Sequence, residues 1–150
     1  MLKNNLVIKR VTRLSDKVLE DINLLLSQWY KKSYSIDPEY LTLVIKNNYL
    51  IALYDYDHGS IVGIVTLIKI PKLSGVKGSI EHLILDEKYR GQGLGEKLMV
   101  YAIDFAKSLG INTLFLTCES EREVANALYQ KLGFNIKKTN FYYLNLNNSK

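Results

Sequence analysis

The chain is poor in everything that staples, interrupts or anchors a polypeptide. Its single cysteine, Cys118, excludes an internal disulfide framework and fits a reducing compartment. Its two prolines, Pro38 and Pro71, and nine scattered glycines leave no stretch that reads as a linker, and no internal repeat stands out. Apolar runs such as Ile61 to Ile64 fall far short of the ~20 residues that a membrane span needs. Met1-Leu2-Lys3-Asn4-Asn5 leads into a short β-like run rather than a signal-peptide core, so the expected compartment is cytoplasmic. No His, Cys, Asp or Glu cluster has metal-ligand spacing, so no metal is expected. What is present is a globular balance, 47% hydrophobic and 23% charged over 150 residues, which points to one domain over residues 1–150 with a core of its own.

The net charge of +5 suits an anionic ligand, but the basic residues come as short pairs such as Lys31-Lys32 and Lys137-Lys138 rather than in one block. There is no basic helix, helix-turn-helix pattern or stripe of interleaved aromatic and basic residues, so nucleic acid is not expected as a partner.

The periodicities give an alternation of strands and helices. Leu6 to Val11 reads as a strand, and Ser15-Asp16 opens a helix whose apolar positions include Val18, Ile22, Leu25, Leu26 and Trp29. A second helix is expected over Pro38–Lys46, then a hairpin of Tyr49–Tyr54 and Ile61–Ile68 about Asp57-His58-Gly59. Residues 74–78 read as a loop and Ile80–Leu85 as a strand. Leu94, Leu98, Tyr101, Ala102, Phe105 and Leu109 mark one face of a long helix that stops at Gly110. Thr113–Cys118 is an expected strand, Arg122–Leu132 a helix closed by Gly133, and Phe134–Lys138 and Phe141–Leu146 two final strands. The sum is an α/β (α+β) fold, a mixed, mostly antiparallel twisted sheet of about seven strands flanked by about four helices.

The chemically informative stretch is a strand running into Arg90-Gly91-Gln92-Gly93-Leu94-Gly95 and then a helix. Glycines clear side chains away so that backbone N–H groups can converge, and the helix start adds partial positive charge. Arg90 adds a formal charge, and the expected guest is a phosphate or pyrophosphate. A Walker loop, G-x-x-x-x-G-K-[ST], does not fit anywhere here, and a G-x-G-x-x-G would need glycine where Glu96 or Leu98 stands. The pattern [QR]-x-x-G-x-[GA] fits at Arg90, Gly93 and Gly95. Taken alone, such a loop could equally be a turn that packs a helix tightly on a sheet.

The run from Ile80 through Gly95 resembles the central acetyl-CoA motif of the GNAT superfamily of N-acetyltransferases, and Ala125-Asn126-Ala127-Leu128-Tyr129-Gln130-Lys131-Leu132-Gly133-Phe134 resembles that family's second motif, A-x-x-x-Y-x-K-x-G-F. The resemblance implies that acetyl-CoA, as co-substrate, lays its pyrophosphate on the N–H groups of Gly91, Gln92, Gly93, Leu94, Gly95 and Glu96, with Arg90 alongside. It implies that the pantetheine arm pairs with the backbone of Leu83, Ile84 and Leu85, where an N–H near Leu83 can support the oxyanion. It implies that Tyr129 protonates the leaving thiolate and that Glu81 deprotonates the amine; His82 is the less family-like alternative base. An amine of pKa ~10 is only about a thousandth neutral at pH 7, so a positioned base removes part of a real obstacle.

One departure is plain: relatives often carry asparagine seven residues before the tyrosine, where this chain has Arg122, and Asn126 is a candidate substitute. A covalent route through Cys118, with His82 or His58 as activator, has no supporting Cys/His spacing. The expected activity is acetyl transfer to a primary amine of a small molecule, an amino sugar phosphate or a protein. Trp29, Tyr30, Tyr34, Tyr142 and Tyr143 are candidate acceptor-side aromatics. The alternative is a non-catalytic acyl-CoA sensor. The apolar C-terminal strand offers a surface for a homodimer.

Overall fold

Short polar side chains start the first two helices, as their sequences require. The Ser15 hydroxyl accepts from the Val18 N–H at the head of α1 (Asp16–Tyr30), and the Asp37 carboxylate accepts from the Tyr40 N–H at the head of α2 (Pro38–Asn47), where Pro38 costs no hydrogen bond. In this computed structural model residues 5–147 are described, and they fall into two units, one up to Thr117 and one from Cys118 onward.

The first unit holds a five-stranded sheet in the order β1-β2-β3-β4-β5, built from β1 (Leu6–Arg10), β2 (Tyr49–Asp55), β3 (Ser60–Lys72), β4 (Gly75–Leu85) and β5 (Thr113–Phe115). The first four strands pair antiparallel, and β5 joins β4 in parallel. The central strands are buried over most of their length, which explains their near-continuous Val, Ile and Leu runs. One core cluster joins Ile22, Leu25 and Leu26 of α1 and Leu41 and Ile45 of α2 to Leu50, Ala52, Ile64 and Ile84 of the sheet. Asp21 ties α1 to β3 from within: its buried carboxylate accepts from the Ile61 N–H at 2.9 Å and from Lys17 at 2.9 Å.

The helix α3 (Leu94–Ser108) comes close to the sheet because Gly63 has no side chain. A Cβ there would lie 2.6 Å from Leu85 Cδ2, 3.0 Å from Leu98 Cδ1 and 3.3 Å from the Ile84 carbonyl oxygen. Gly63→Ala is therefore expected to destabilise the fold by roughly 1–3 kcal/mol through overpacking. A urea-unfolding midpoint equal to that of the wild type would contradict this.

Two expectations need correction. The stretch 74–78 is not a loop, because β3 and β4 form a long hairpin that turns at Leu73-Ser74 and pairs from Lys72↔Gly75 onward. Gly78 is a packing glycine rather than a breaker, since a Cβ there would lie 2.7 Å from Leu114 Cδ2. The sheet has five strands among the described residues, not about seven: β5 ends at Phe115, and neither 134–138 nor 141–146 is a strand. Apolar alternation favours extended backbone, but a strand exists only with a ladder partner. Backbone bonds there are local, Phe134 N–H to the Tyr129 carbonyl and Thr139 N–H to the Lys137 carbonyl, and Phe141, Tyr142 and Leu144 lie exposed.

The second unit contains α4 (Glu123–Lys131), followed by Gly133 at φ 90°. No helix among the described residues is long and apolar enough to cross a membrane, and no group of three or more His, Cys, Asp or Glu side chains among them could hold a metal ion.

Candidate functional site

The strand that leads to the glycine loop is bent. Ile64 pairs with Ile84 and Thr66 with Glu81, so His82 and Leu83 together oppose the single Val65. His82 takes the extra residue's left-handed conformation, φ 51°, which makes this a β-bulge. The bulge places Ile84 in the core with α1 and α2 and leaves Leu85 next to Gly63 and the α3 side. Glu81 lies just before it, half-buried, and accepts a hydrogen bond from the Ser79 hydroxyl on the same strand face.

Beyond the bulge, one edge of β4 is open. Its pairing with β5 covers only Lys77, Gly78 and Ser79, so Ile80–Leu85 has no strand partner on that side among the described residues. Unpaired N–H and C=O groups of this kind can receive an extended, amide-bearing chain as a further strand would be received.

The loop itself is shaped by two left-handed glycines, Gly91 at φ 74° and Gly93 at φ 72°. Gly93 is the N-cap of α3 and supplies no side-chain cap, so the first-turn N–H groups of a 15-residue helix lack that partner. A Cβ at either glycine would meet open space, which marks the concave side of the loop as accessible. A helix start, a cleared surface and Arg90 together are the features that can attract an anion.

A 3-10 turn, Glu87–Tyr89, carries the chain from β4 to this loop, and it is pinned from two directions. Gln28 of α1 donates to the Asp86 carboxylate at 2.9 Å and accepts from the Glu87 N–H at 3.1 Å. Tyr89 donates its hydroxyl to the buried Asp55 carboxylate of β2 at 2.6 Å. Asp55 also accepts from the Asp57 N–H at 2.9 Å and contacts His58 Nδ1 at 2.9 Å. The Tyr89 hydroxyl, foremost, holds the Asp55 carboxyl down at about 2, against an ordinary 3.8. The same bond pushes the Tyr89 phenol up to about 12 from 10.0.

These shifts fix a sign. The depressed Asp55 pKa contributes stability that is present above pH 3.8 and lost as pH falls through about 2. The raised Tyr89 pKa contributes stability that is present below pH 10.0 and lost as pH rises through about 12. Tyr89→Phe is expected to cost roughly 1–3 kcal/mol near neutrality, because a buried carboxylate loses a donor. In urea titrations the gap between variant and wild type should shrink as pH falls below 3.8. A gap that does not change with pH would count against this reading.

In the second unit Tyr129 is buried on α4, with its ring edge-on to Phe134 at a centroid distance of 6.1 Å. Burial, with a smaller push from Cys118 and an opposing pull from Arg122, raises its phenol above the ordinary range, so it carries its proton at neutral pH. Asn126, one turn before Tyr129, donates its side-chain amide to the Glu119 carbonyl at 2.8 Å and to the Arg122 carbonyl at 3.1 Å. Cys118 is half-buried, with its thiol 3.6 Å from the Glu119 carbonyl. Of the acceptor-side aromatics, Trp29 and Tyr34 pack on the core, while Tyr30 is exposed and stacks on Tyr34 at 4.9 Å. Sequence reasoning missed Gln28, Asp55, Tyr89 and Ser79. Only Ser79 left a signal, its i, i+2 spacing from Glu81 on one strand face.

Comparison with known proteins agrees with this geometry. The model of the acetyltransferase (GNAT) family matches residues 19–134. N-alpha-acetyltransferase 30 of Schizosaccharomyces pombe is 37% identical over 71 residues, 47% of this chain and 47% of that protein. Glucosamine 6-phosphate N-acetyltransferase of Arabidopsis thaliana is 35% identical over 63 residues, 42% of this chain and 40% of that protein. The chain thus spans about half or less of the length of these two relatives. A putative acetyltransferase from Agrobacterium tumefaciens has the same fold, with a TM-score of 0.80 at 18% identity over 93% of this chain and 99% of that one. With its bulged strand, open edge and glycine loop in place, the chain belongs to the GNAT family of acetyltransferases.

Proposed function

We propose that the protein transfers an acetyl group from acetyl-CoA to a primary amine by direct attack within a ternary complex. The observation that carries this reading is the continuous path of open β4 edge, bulge at His82 and uncapped glycine loop, which matches a thioester donor with a pantetheine arm and a pyrophosphate.

In this reading the N–H groups from Gly91 to Glu96, with Arg90, hold the pyrophosphate. The backbone of Leu83, Ile84 and Leu85 receives the pantetheine, and the Leu83 N–H supports the oxyanion. The neutral amine nitrogen attacks the thioester carbonyl, forming the C–N bond as the C–S bond breaks. Glu81 takes the amine's proton, and Tyr129 gives its own to the departing sulfur. Ser79 orients the Glu81 carboxylate. Residues 1–150 act as one acetyltransferase domain, and the acceptor is an amine of a small molecule, an amino sugar phosphate or a peptide. The relatives named above differ in the acceptors that their names specify, so similarity to them does not choose among these classes.

A free-thiol assay with acetyl-CoA over a panel of amines tests the reading. Thiol release that depends on one amine class is the expected result. Release absent with every amine would favour the acyl-CoA sensor, and release independent of any amine would point to thioester hydrolysis; either result would contradict acetyl transfer to an amine.

A further inference from the structure

The glycine loop cannot set its own shape. Gly91 and Gly93 both sit at positive φ with open space where side chains would be, so neither has a side chain that fixes the backbone there. Its conformation is inherited from its two flanks. The downstream flank is α3, whose hydrogen bonding begins with the Lys97 N–H on the Gly93 carbonyl at 3.2 Å.

The upstream flank is the 3-10 turn, and its polar groups are tied to the scaffold. The Asp86 N–H donates to the Val62 carbonyl at 2.9 Å, and the Asp86 carboxylate accepts from the Lys88 N–H at 2.9 Å and from Gln28. The Tyr89 hydroxyl is taken by Asp55, which is itself buried and holds further donors from Asp57 and His58. Arg90 Nε donates to the Leu85 carbonyl at 3.1 Å, and the Gln92 amide donates to the Lys88 carbonyl at 3.1 Å. Two of these ties, Gln28 and Asp55, reach the turn from α1 and from β2, so together they oppose displacement in more than one direction.

We infer that Gln28 and the Asp55–Tyr89 pair are positioning residues that hold the glycine loop in its phosphate-binding shape. In this reading they act through the turn rather than through contact with the phosphate. Their effect is to make the ordering of the loop part of folding rather than part of binding, which raises affinity by removing a cost at the moment the ligand arrives. The inference deepens the proposed function and rests on it, since the loop's ligand is the pyrophosphate of CoA.

The test is calorimetric titration of the full-length wild type, Gln28→Leu, Tyr89→Phe and the double variant with CoA. Each single variant is expected to raise the Kd for CoA about fivefold, and the double variant about twentyfold or more. In turnover assays the loss should fall on the KM for acetyl-CoA rather than on kcat, a split that a loss of stability alone does not produce. In a double-mutant cycle for CoA affinity, Asp55→Asn should add little once Tyr89 is phenylalanine. If Tyr89→Phe lowers the folded fraction, Gln28→Leu on the half-buried face of α1 tests the same clamp independently. Kd values within twofold of a CoA-binding wild type would overturn the clamp and leave the proposed function standing. A wild type that does not bind CoA would overturn both.

Discussion

Tyr129→Phe is expected to lower kcat by about 10²-fold while changing acetyl-CoA affinity by less than about twofold. The phenol is buried, and that burial, reinforced by Cys118, raises its pKa, so at neutral pH it is fully loaded with the proton that a leaving thiolate requires. Phenylalanine preserves the ring and its edge-on contact with Phe134 and removes only the hydroxyl group that carries the proton. A loss of affinity without loss of kcat would identify Tyr129 as a binding residue. Unchanged kcat and affinity together would remove it from the mechanism. Steady-state kinetics with saturating amine distinguishes the three outcomes.

The second large effect concerns Gly93. Its φ of 72° is one that a β-branched residue strongly disfavours, and it stands at the N-cap of α3. Gly93→Val should therefore do more than add bulk to an open surface. Relief of the strain rotates the backbone and turns first-turn N–H groups away from the bound anion. Loss of about two hydrogen bonds to a charged group, at roughly 1.5 kcal/mol or more each, corresponds to about 10²-fold weaker acetyl-CoA binding. Because a Cβ at Gly93 meets nothing within 4 Å, whatever stability the fold loses comes from backbone strain at this φ and not from crowding. A loss of thermal stability with acetyl-CoA affinity unchanged would mean that the glycine serves only the turn, as the simplest reading of an isolated glycine turn holds.

Local chemistry made several elements legible from sequence. Ser15, Asp37 with Pro38, and Gly110 mark helix ends by capping rules that act over three or four residues, and the helices stand where those signals place them. The glycine loop was legible as a shape, because Gly91 and Gly93 take the positive φ that glycine favours. What sequence could not display was long-range pairing. Tyr89 and Asp55 are 34 residues apart, and Gln28 and Asp86 are 58 apart, so no periodicity connects them. The bulge at His82 was also hidden, since a histidine rarely takes a left-handed conformation and only the β3 register reveals that it does so here. The extended hairpin was masked by Gly75 and Gly78, whose roles in a turn and in close packing look like loop signals in one dimension. The apolar pattern after Gly133 was wrongly read as strand, because a ladder depends on a partner that the pattern does not specify.

The central claim is that the open edge of β4 and the loop at Gly91–Gly95 receive acetyl-CoA, and calorimetric titration of the wild-type protein with acetyl-CoA tests it most directly. One-to-one binding with a dissociation constant in the micromolar range, weakened by Gly93→Val, is the expected result. No detectable heat, or binding that Gly93→Val leaves unchanged, would show that the cradle does not hold this ligand.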